Sequence, residues 1–498
     1  METRASFSSA DVIENTDSLD YRLPPKHSNT PAPVPVSFVP TPTQSFREHR
    51  KLLKALAEPG LPQHPLVGAA PRPIPPIPIP IPVPLPAGAR MLIWKQDPTV
   101  DEIGARKVFL PGLISTGPAD LRIRIDGIAP VVANVFGDFI ATPGTDAFDA
   151  IHTFAVIRQV VSMYQRARNG TVVTWQWNAA GNNDPIHAFP HAGVTMNAYY
   201  SRNERALKFF YFDTSTPPPL HKVFTCRSLD IVAHETGHAV LDGLQPNWLG
   251  FNNPPQTGGL HESFGDLTSI FLALSQLDQV EAVIAQTKAN LHDKTFLSDL
   301  AEQFGLALGR PNGLRNADND LKLSQVGTEV HAISQVFTGA IYDILADIFR
   351  FERQTTRRDD AATLYRVGQY MLSLVLRALI AAPAHAATFA DVANAMLNIA
   401  AADGDPVQYR TFIRNRFTVR EVIVSPVPLT EDHDPEHEHE AAVLDPDGAV
   451  QDRRGCCGTM NNPEYWDWDA YNQDGEEPED EAVTPERPRA HRRNRRRG

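Results

Sequence analysis

Along this chain the apolar positions change period. From Arg90 to about Cys226 they recur in short alternating runs, and from about Leu260 to Arg416 they follow a helical spacing. Leu121-Arg122-Ile123-Arg124-Ile125 puts every second, apolar side chain on one face of a predicted strand, and Val172 to Trp177 does so in part. Asn197 to Tyr200 reads as a further strand, with Lys208 to Phe212 as its partner. One helix, Asp146 to Arg168, interrupts this region. Downstream the pattern predicts helices over Leu297–Leu308, His331–Phe349, Leu364–Ile380 and Phe389–Ala401. A β-rich part followed by a helical part is an α+β order, with a cleft expected between the two.

Between these halves lies a segment that is helical and apolar on both sides of its polar residues. Ser228 can cap it, Asp230 suits its first turn, and Gly243 is placed to end it. Leu229, Val232, Ala233, Ala239, Val240 and Leu241 predict burial, and Gly237, a poor helix former, implies close packing against a neighbour. A second helix is expected from near Leu260 through Phe264, Leu267, Ile270, Phe271 and Leu274.

The polar residues on these two helices carry the chemistry. His234 and His238 are four apart, so both imidazoles project from one helix face. Glu262 follows His238 by 24 residues and completes a His₂Glu set. Three protein ligands leave the fourth position of a zinc ion to water, which is the layout of a catalytic site; structural zinc is closed by four protein ligands. The expectation is one zinc per chain. Glu235, beside His234, is positioned as the general base. Asp266, one turn beyond Glu262, is the candidate acceptor for a ligand histidine's second N–H. The plainer alternative is a buried helix pair whose histidines and carboxylates satisfy one another.

With those residues in view, the stretch from about Asp149 to Val424 resembles the thermolysin-like zinc metallopeptidases. His238-Ala239-Val240-Leu241-Asp242 matches the family's extension of the first motif. Gly258-Gly259-Leu260-His261-Glu262-Ser263-Phe264-Gly265-Asp266 matches its second motif, with His261 in place of the usual asparagine. The distance between the motifs is nearer to that of fungalysin-like relatives. The resemblance implies two lobes around a cleft and an endopeptidase acting on protein or peptide substrates. It also implies that Asn197-Ala198 lies on an edge strand that aligns the substrate backbone, although an ordinary sheet edge would look the same. Val330-His331-Ala332-Ile333-Ser334 resembles the segment whose histidine stabilises the oxyanion, giving that role to His331. Val326 stands where the family places that histidine's carboxylate partner, with Glu329 and Asp320 as the nearest substitutes. Arg315 resembles the arginine that grips a substrate carbonyl, or else forms a surface salt bridge. Asp230 occupies a calcium-ligand position, but Ala273 replaces the next acidic ligand, so calcium is not expected.

The ends of the chain have a different composition. Four regions are expected: a disordered proline-rich arm over 1–90, a β-rich lobe over 91–225, the zinc-site helices with a helical lobe over 226–425, and a disordered charged tail over 426–498. Pro71 to Pro86 alternates proline with aliphatic residues, which suits an extended polyproline spacer or a docking strip for a partner's aromatic groove. Phe46 to Ala57 is a short amphipathic interruption. In the tail, Asp432 to His439 is acidic and histidine-rich, and His491 to Arg497 is basic. The net charge of −13 argues against nucleic-acid binding by the whole protein. Cys226, Cys456 and Cys457 make no disulfide framework and no zinc-thiolate pattern; Cys226 suits a core position, and Cys456-Cys457 a redox-active pair. No apolar run is long enough to cross a bilayer, since Arg377 and Pro383 interrupt Tyr370 to Ala387. The first residues lack a signal-peptide pattern, so a cytoplasmic location is expected, with export by another route left open. The rival functional reading is a retired peptidase fold that serves as a scaffold through its polyproline arm. Glu235 argues against it, because that side chain serves chemistry more than folding.

Overall fold

The computed structural model describes residues 87–214, 222–250 and 253–422. The expectations for the proline-rich arm, for Phe46 to Ala57 and for the charged tail fall outside these residues, apart from the arm's last few positions.

β1 (Gly88–Trp94) buries Ala89, Met91 and Ile93 on one face and pairs antiparallel with β2 (Ala105–Pro111). β3 (Ile123–Ile125) is shorter than the alternating run predicts. The Asp120 carboxylate accepts from the N–H groups of Arg122 and Ile123, and the turn it holds leaves Leu121 in solvent. α1 (Asp146–Ala167) begins at Thr145, whose side chain caps the Phe148 N–H, and it packs on β1 and β3.

β3 heads a four-stranded sheet with β4 (Ile186–Phe189), β5 (Ala198–Ser201) and β6 (Ala206–Phe209), in the order β3-β4-β6-β5. The β3-β4 and β4-β6 pairs are parallel, whereas β5 joins β6 antiparallel and forms an edge of the sheet. β7 (Tyr211–Asp213) pairs with β8 (Lys222–Phe224). The strand expected over Val172 to Trp177 does not form. The Asn178 side chain accepts from the Trp175 N–H at 2.7 Å and starts a 3₁₀ turn, Gln176–Ala180, while the Trp175 indole donates to the Arg122 carbonyl at 3.0 Å. Two buried tryptophans facing the core, and not a sheet, explain the apolar spacing there.

From Ser228 onward the molecule is helical. α2 (Leu229–Leu244) starts at Ser228, which caps the Ile231 N–H. Gly243 does not end it; the helix runs one residue further, and any Cβ at 243 would collide with the Thr174 carbonyl. This glycine permits a close crossing instead of a helix stop. α3 (Pro255–Leu274) begins five residues before the predicted Leu260, because Pro255 fits the first helical position, where no N–H is needed. α4 (Leu277–Thr287) follows.

The single helix expected over Leu297–Leu308 is divided. β9 (Asp299–Leu300) comes first, then Ala301 turns through φ 52°, and α5 (Glu302–Ala307) follows. β9 pairs with β10 (Arg315–Asn316), which brings Arg315 towards the zinc-motif helices. α6 (Val330–Glu352), α7 (Asp360–Ala381), α8 (Phe389–Ala402) and α9 (Val407–Val419) complete a helical C-terminal part; α4 and α9 had not been predicted as separate elements. The described structure is therefore mixed, about 48% helical and 14% strand, and its helices are concentrated after Ser228, as an α+β order requires. α3 lies between α2 and α6 and packs most extensively on those two. Against the expectation that no apolar run is long enough to cross a bilayer, α6 has the length and composition to do so, but 83% of that window is buried inside the protein, as in a core helix.

Candidate metal centre

Two turns of α2 and one of α3 supply the donor atoms. His234 Nε2 lies 3.0 Å from His238 Nε2 and 3.4 Å from Glu262 Oε2, and His238 Nε2 lies 3.5 Å from Glu262 Oε1. A tetrahedral zinc with bonds of 2.0–2.1 Å requires its donors to be about 3.3–3.4 Å apart. The three predicted ligands therefore fit one such ion. Two glycines make the approach possible. A Cβ on Gly237 would meet Thr268 Oγ1 at 2.6 Å and Gly265 Cα at 3.2 Å, so α2 and α3 touch backbone to backbone there. A Cβ on Gly265 would meet the His234 ring at 2.6 Å, so that glycine leaves space for a ligand imidazole.

The groups behind the ligands fix their orientation. His234 Nδ1 is 2.9 Å from Asp266 Oδ1, as predicted for a carboxylate that orients a ligand histidine. Burial opposes charge on His234, but Asp266 and Glu262 outweigh it and push the pKa up to about 9. A metal held at this ring would have to displace that proton, so its affinity would fall with acid. Arg315, from β10, is buried and forks onto Asp266, with Nε 2.9 Å from Oδ2 and Nη2 2.6 Å from Oδ1. Its Nη2 is also 3.3 Å from His234 Nδ1. The surface salt bridge considered from sequence is thus replaced by a buried one at the site.

His238 is braced differently. Its Nδ1 lies 2.7 Å from His261 Nδ1. Were His238 to hold a metal through Nε2, its proton would sit on Nδ1, and His261 would accept it as a neutral ring. Burial agrees, holding His261 down to about 3 and His238 well below the ordinary histidine value. The residue at which the sequence departs from the motif it resembles thus faces the His238 ring. We expect His261→Leu to weaken zinc binding about 10–100-fold, the usual range for losing such a partner, and His261→Asn to restore most of it. Competition with a chromogenic chelator measures both; equal affinity in all three proteins would remove His261 from the site.

On the far side of Glu262 stands His331, in the first turn of α6. Its Nε2 is 3.5 Å from Glu262 Oε1, and its Nδ1 is 2.6 Å from Glu329 Oε1. Glu329 is the N-cap of α6 and also accepts from the Ala332 N–H at 2.8 Å. Of the two substitutes for Val326, Glu329 thus holds the ring. Burial opposes protonation, yet Glu262 and Glu329 push His331 up to about 10. Glu235 is fully buried on α2, next to the first ligand.

Asn197 immediately precedes β5 and turns its side-chain oxygen to its own neighbour, accepting from the Ala198 N–H at 2.9 Å. β5 packs on α2, and the link between them had been read only as a motif match: Asp242 accepts from Tyr200 Oη at 2.7 Å and from Arg202 Nε at 2.9 Å. Asp230 accepts from the Ala301 N–H at 3.1 Å, and burial, with Asp97 nearby, pushes it up to about 8. Ala273, where the family has an acidic residue, is buried in α3.

No protein-family model matches this chain, and no curated protein does so either.

Proposed function

We propose that this protein is a zinc-dependent endopeptidase that works in the manner of the thermolysin-like family, on a two-lobed fold of that type. The observation that carries the reading is the near-tetrahedral triad of His234, His238 and Glu262 with an acid, Glu235, next to the first ligand. Bound there, zinc would polarise a peptide carbonyl and make water acidic enough to attack it near neutral pH. Glu235 accepts the water's proton and delivers it to the leaving amine nitrogen. His331, held as a cation by Glu329, donates from Nε2 to the carbonyl oxygen as negative charge develops. Asn197 and Ala198, at the edge strand, align the substrate backbone by strand addition. Arg315 keeps Asp266 on His234 and so acts on the chemistry through the ligand.

Incubation with an unfolded polypeptide tests the reaction class. Internal cleavage is expected, lost on chelation and restored by one equivalent of zinc. Cleavage that survives in chelated, metal-free protein would exclude this reading.

A further inference from the structure

Away from the metal donors, three acids meet at the break that divides the helix expected over Leu297–Leu308. Asp97, just past β1, and Asp230, in the first turn of α2, reach this point from distant parts of the chain. Asp97 Oδ1 accepts from the Gln303 N–H at 3.1 Å, and Asp230 Oδ2 accepts from the Ala301 N–H at 3.1 Å. Both acids are buried, 1% and 3% exposed. Their other oxygens, Asp97 Oδ2 and Asp230 Oδ1, have no hydrogen-bond partner among the described residues, although Ser228 and Gln96 stand close by. Glu302, half-buried between the two held amides, is the third acid. The cations on the surrounding elements are turned to other carboxylates: Lys95 to Asp278 on α4, Lys222 on β8 to Asp213, Lys294 to Asp299, Arg227 to Asp149 and Arg315 to Asp266. The remaining charged neighbours, Glu102, Asp299 and Asp266, are themselves acids.

We propose that this junction is a proton-operated latch: with the acids neutral it holds residues 301–303 against α2 and the turn after β1, and when they ionise their repulsion releases the segment. A buried carboxylate with a bare oxygen and no counter-ion is costly when charged, and like charges gathered at one place add to that cost. Burial, and then the neighbouring acids, push Asp230 and Glu302 each up to about 8, and burial raises Asp97 in the same direction. The sign follows from these directions. The folded protein keeps protons that the unfolded chain gives up in mild acid, so the stabilisation is full below the ordinary carboxylate range and is lost as pH rises through about 8.

What the latch holds matters at a distance. Ala301 sits at φ 52°, a conformation that alanine adopts only when its surroundings impose it. Leu300, the residue before it, pairs with Arg315 across β9 and β10, and its carbonyl accepts from the Leu314 N–H at 2.8 Å. A Cβ on Gly305 would collide with the Gly313 backbone, so α5 also rests directly on the approach to β10. Arg315 in turn holds Asp266, and Asp266 holds His234. Release of residues 301–303 therefore loosens the β9–β10 pair and takes Arg315 off Asp266. The consequence for a metal ligand rests on the zinc reading above; the latch itself does not.

Hydrogen–deuterium exchange of the full-length protein, followed from neutral to mildly alkaline pH and corrected for the intrinsic exchange rate, tests this without relying on turnover. In the parent, peptides covering 299–303 and 314–317 should lose protection together, at least severalfold, as pH passes about 8, while the middle of α6 stays protected. The Asp230→Asn/Glu302→Gln double variant keeps the shape of both side chains and an acceptor for the Ala301 N–H, so its protection should stay level. Glu302→Gln alone, at the half-buried position, should fold in any case and shrink the loss. Protection that stays level in the parent, or a loss that persists unchanged in the variants, would overturn the proposal. So would loosening of 299–303 while 314–317 remains protected. None of these results touches the zinc reading, which metal content tests separately.

Discussion

Replacing Glu235 with glutamine should abolish turnover while leaving zinc content unchanged. The substitution keeps the shape of the side chain but removes the lone pair that accepts the proton, and general-base catalysis commonly contributes about 10²–10⁴-fold. The effect should fall on kcat, because the glutamine still fits and the metal donors are other residues. Glu235 is fully buried in the middle of α2, so folding must be checked by circular dichroism alongside metal analysis. If the variant retains activity within a few fold of the parent, Glu235 is not the base. If it loses zinc as well, the side chain has a structural role at the metal site.

His331→Ala should lower kcat on the order of a hundredfold with a much smaller change in KM, the signature of a donor that acts only as charge develops. The pH profile gives the sharper test. The ring donates as a cation, so activity is present below its pKa and lost as pH rises through it. With Val326 where a carboxylate partner would stand, an ordinary imidazole titration would be expected. Glu329, 2.6 Å from Nδ1, removes that expectation and holds the ring's pKa above the ordinary value near 6.5. An alkaline limb well above neutrality is therefore predicted for the parent. His331→Ala should lose that limb, and Glu329→Gln should move it to lower pH. Unchanged kcat and an unchanged limb would make His331 a core histidine.

The donor triad was legible because it depends on two short-range regularities. A spacing of four from His234 to His238 is about one helical turn, and Glu262 lies in an apolar run of the same period. Asp266 followed from the next turn, and the close packing at Gly237 from glycine's low helix propensity in a helix read as buried. What the sequence left open were choices decided across the fold. Gly243 looks like a helix stop, but the carbonyl that requires it belongs to Thr174, far away in the chain. Nothing local marks Ala301 as a residue that adopts positive φ and divides a predicted helix, yet that break lets β9 pair with β10 and brings Arg315 to Asp266. His261 reads as a motif departure until its ring is seen against His238, and Glu329 reads as one of two candidates until it caps α6. Local period reveals which side chains share a face; only the packed helices reveal which faces meet.

Metal analysis of the purified full-length protein tests the central claim most directly. The parent should hold one zinc per chain after dialysis, and His238→Ala should lose both the metal and peptide-bond cleavage. A parent that cleaves substrate at full rate with no bound metal, or a His238→Ala variant that keeps its zinc, would contradict the assignment.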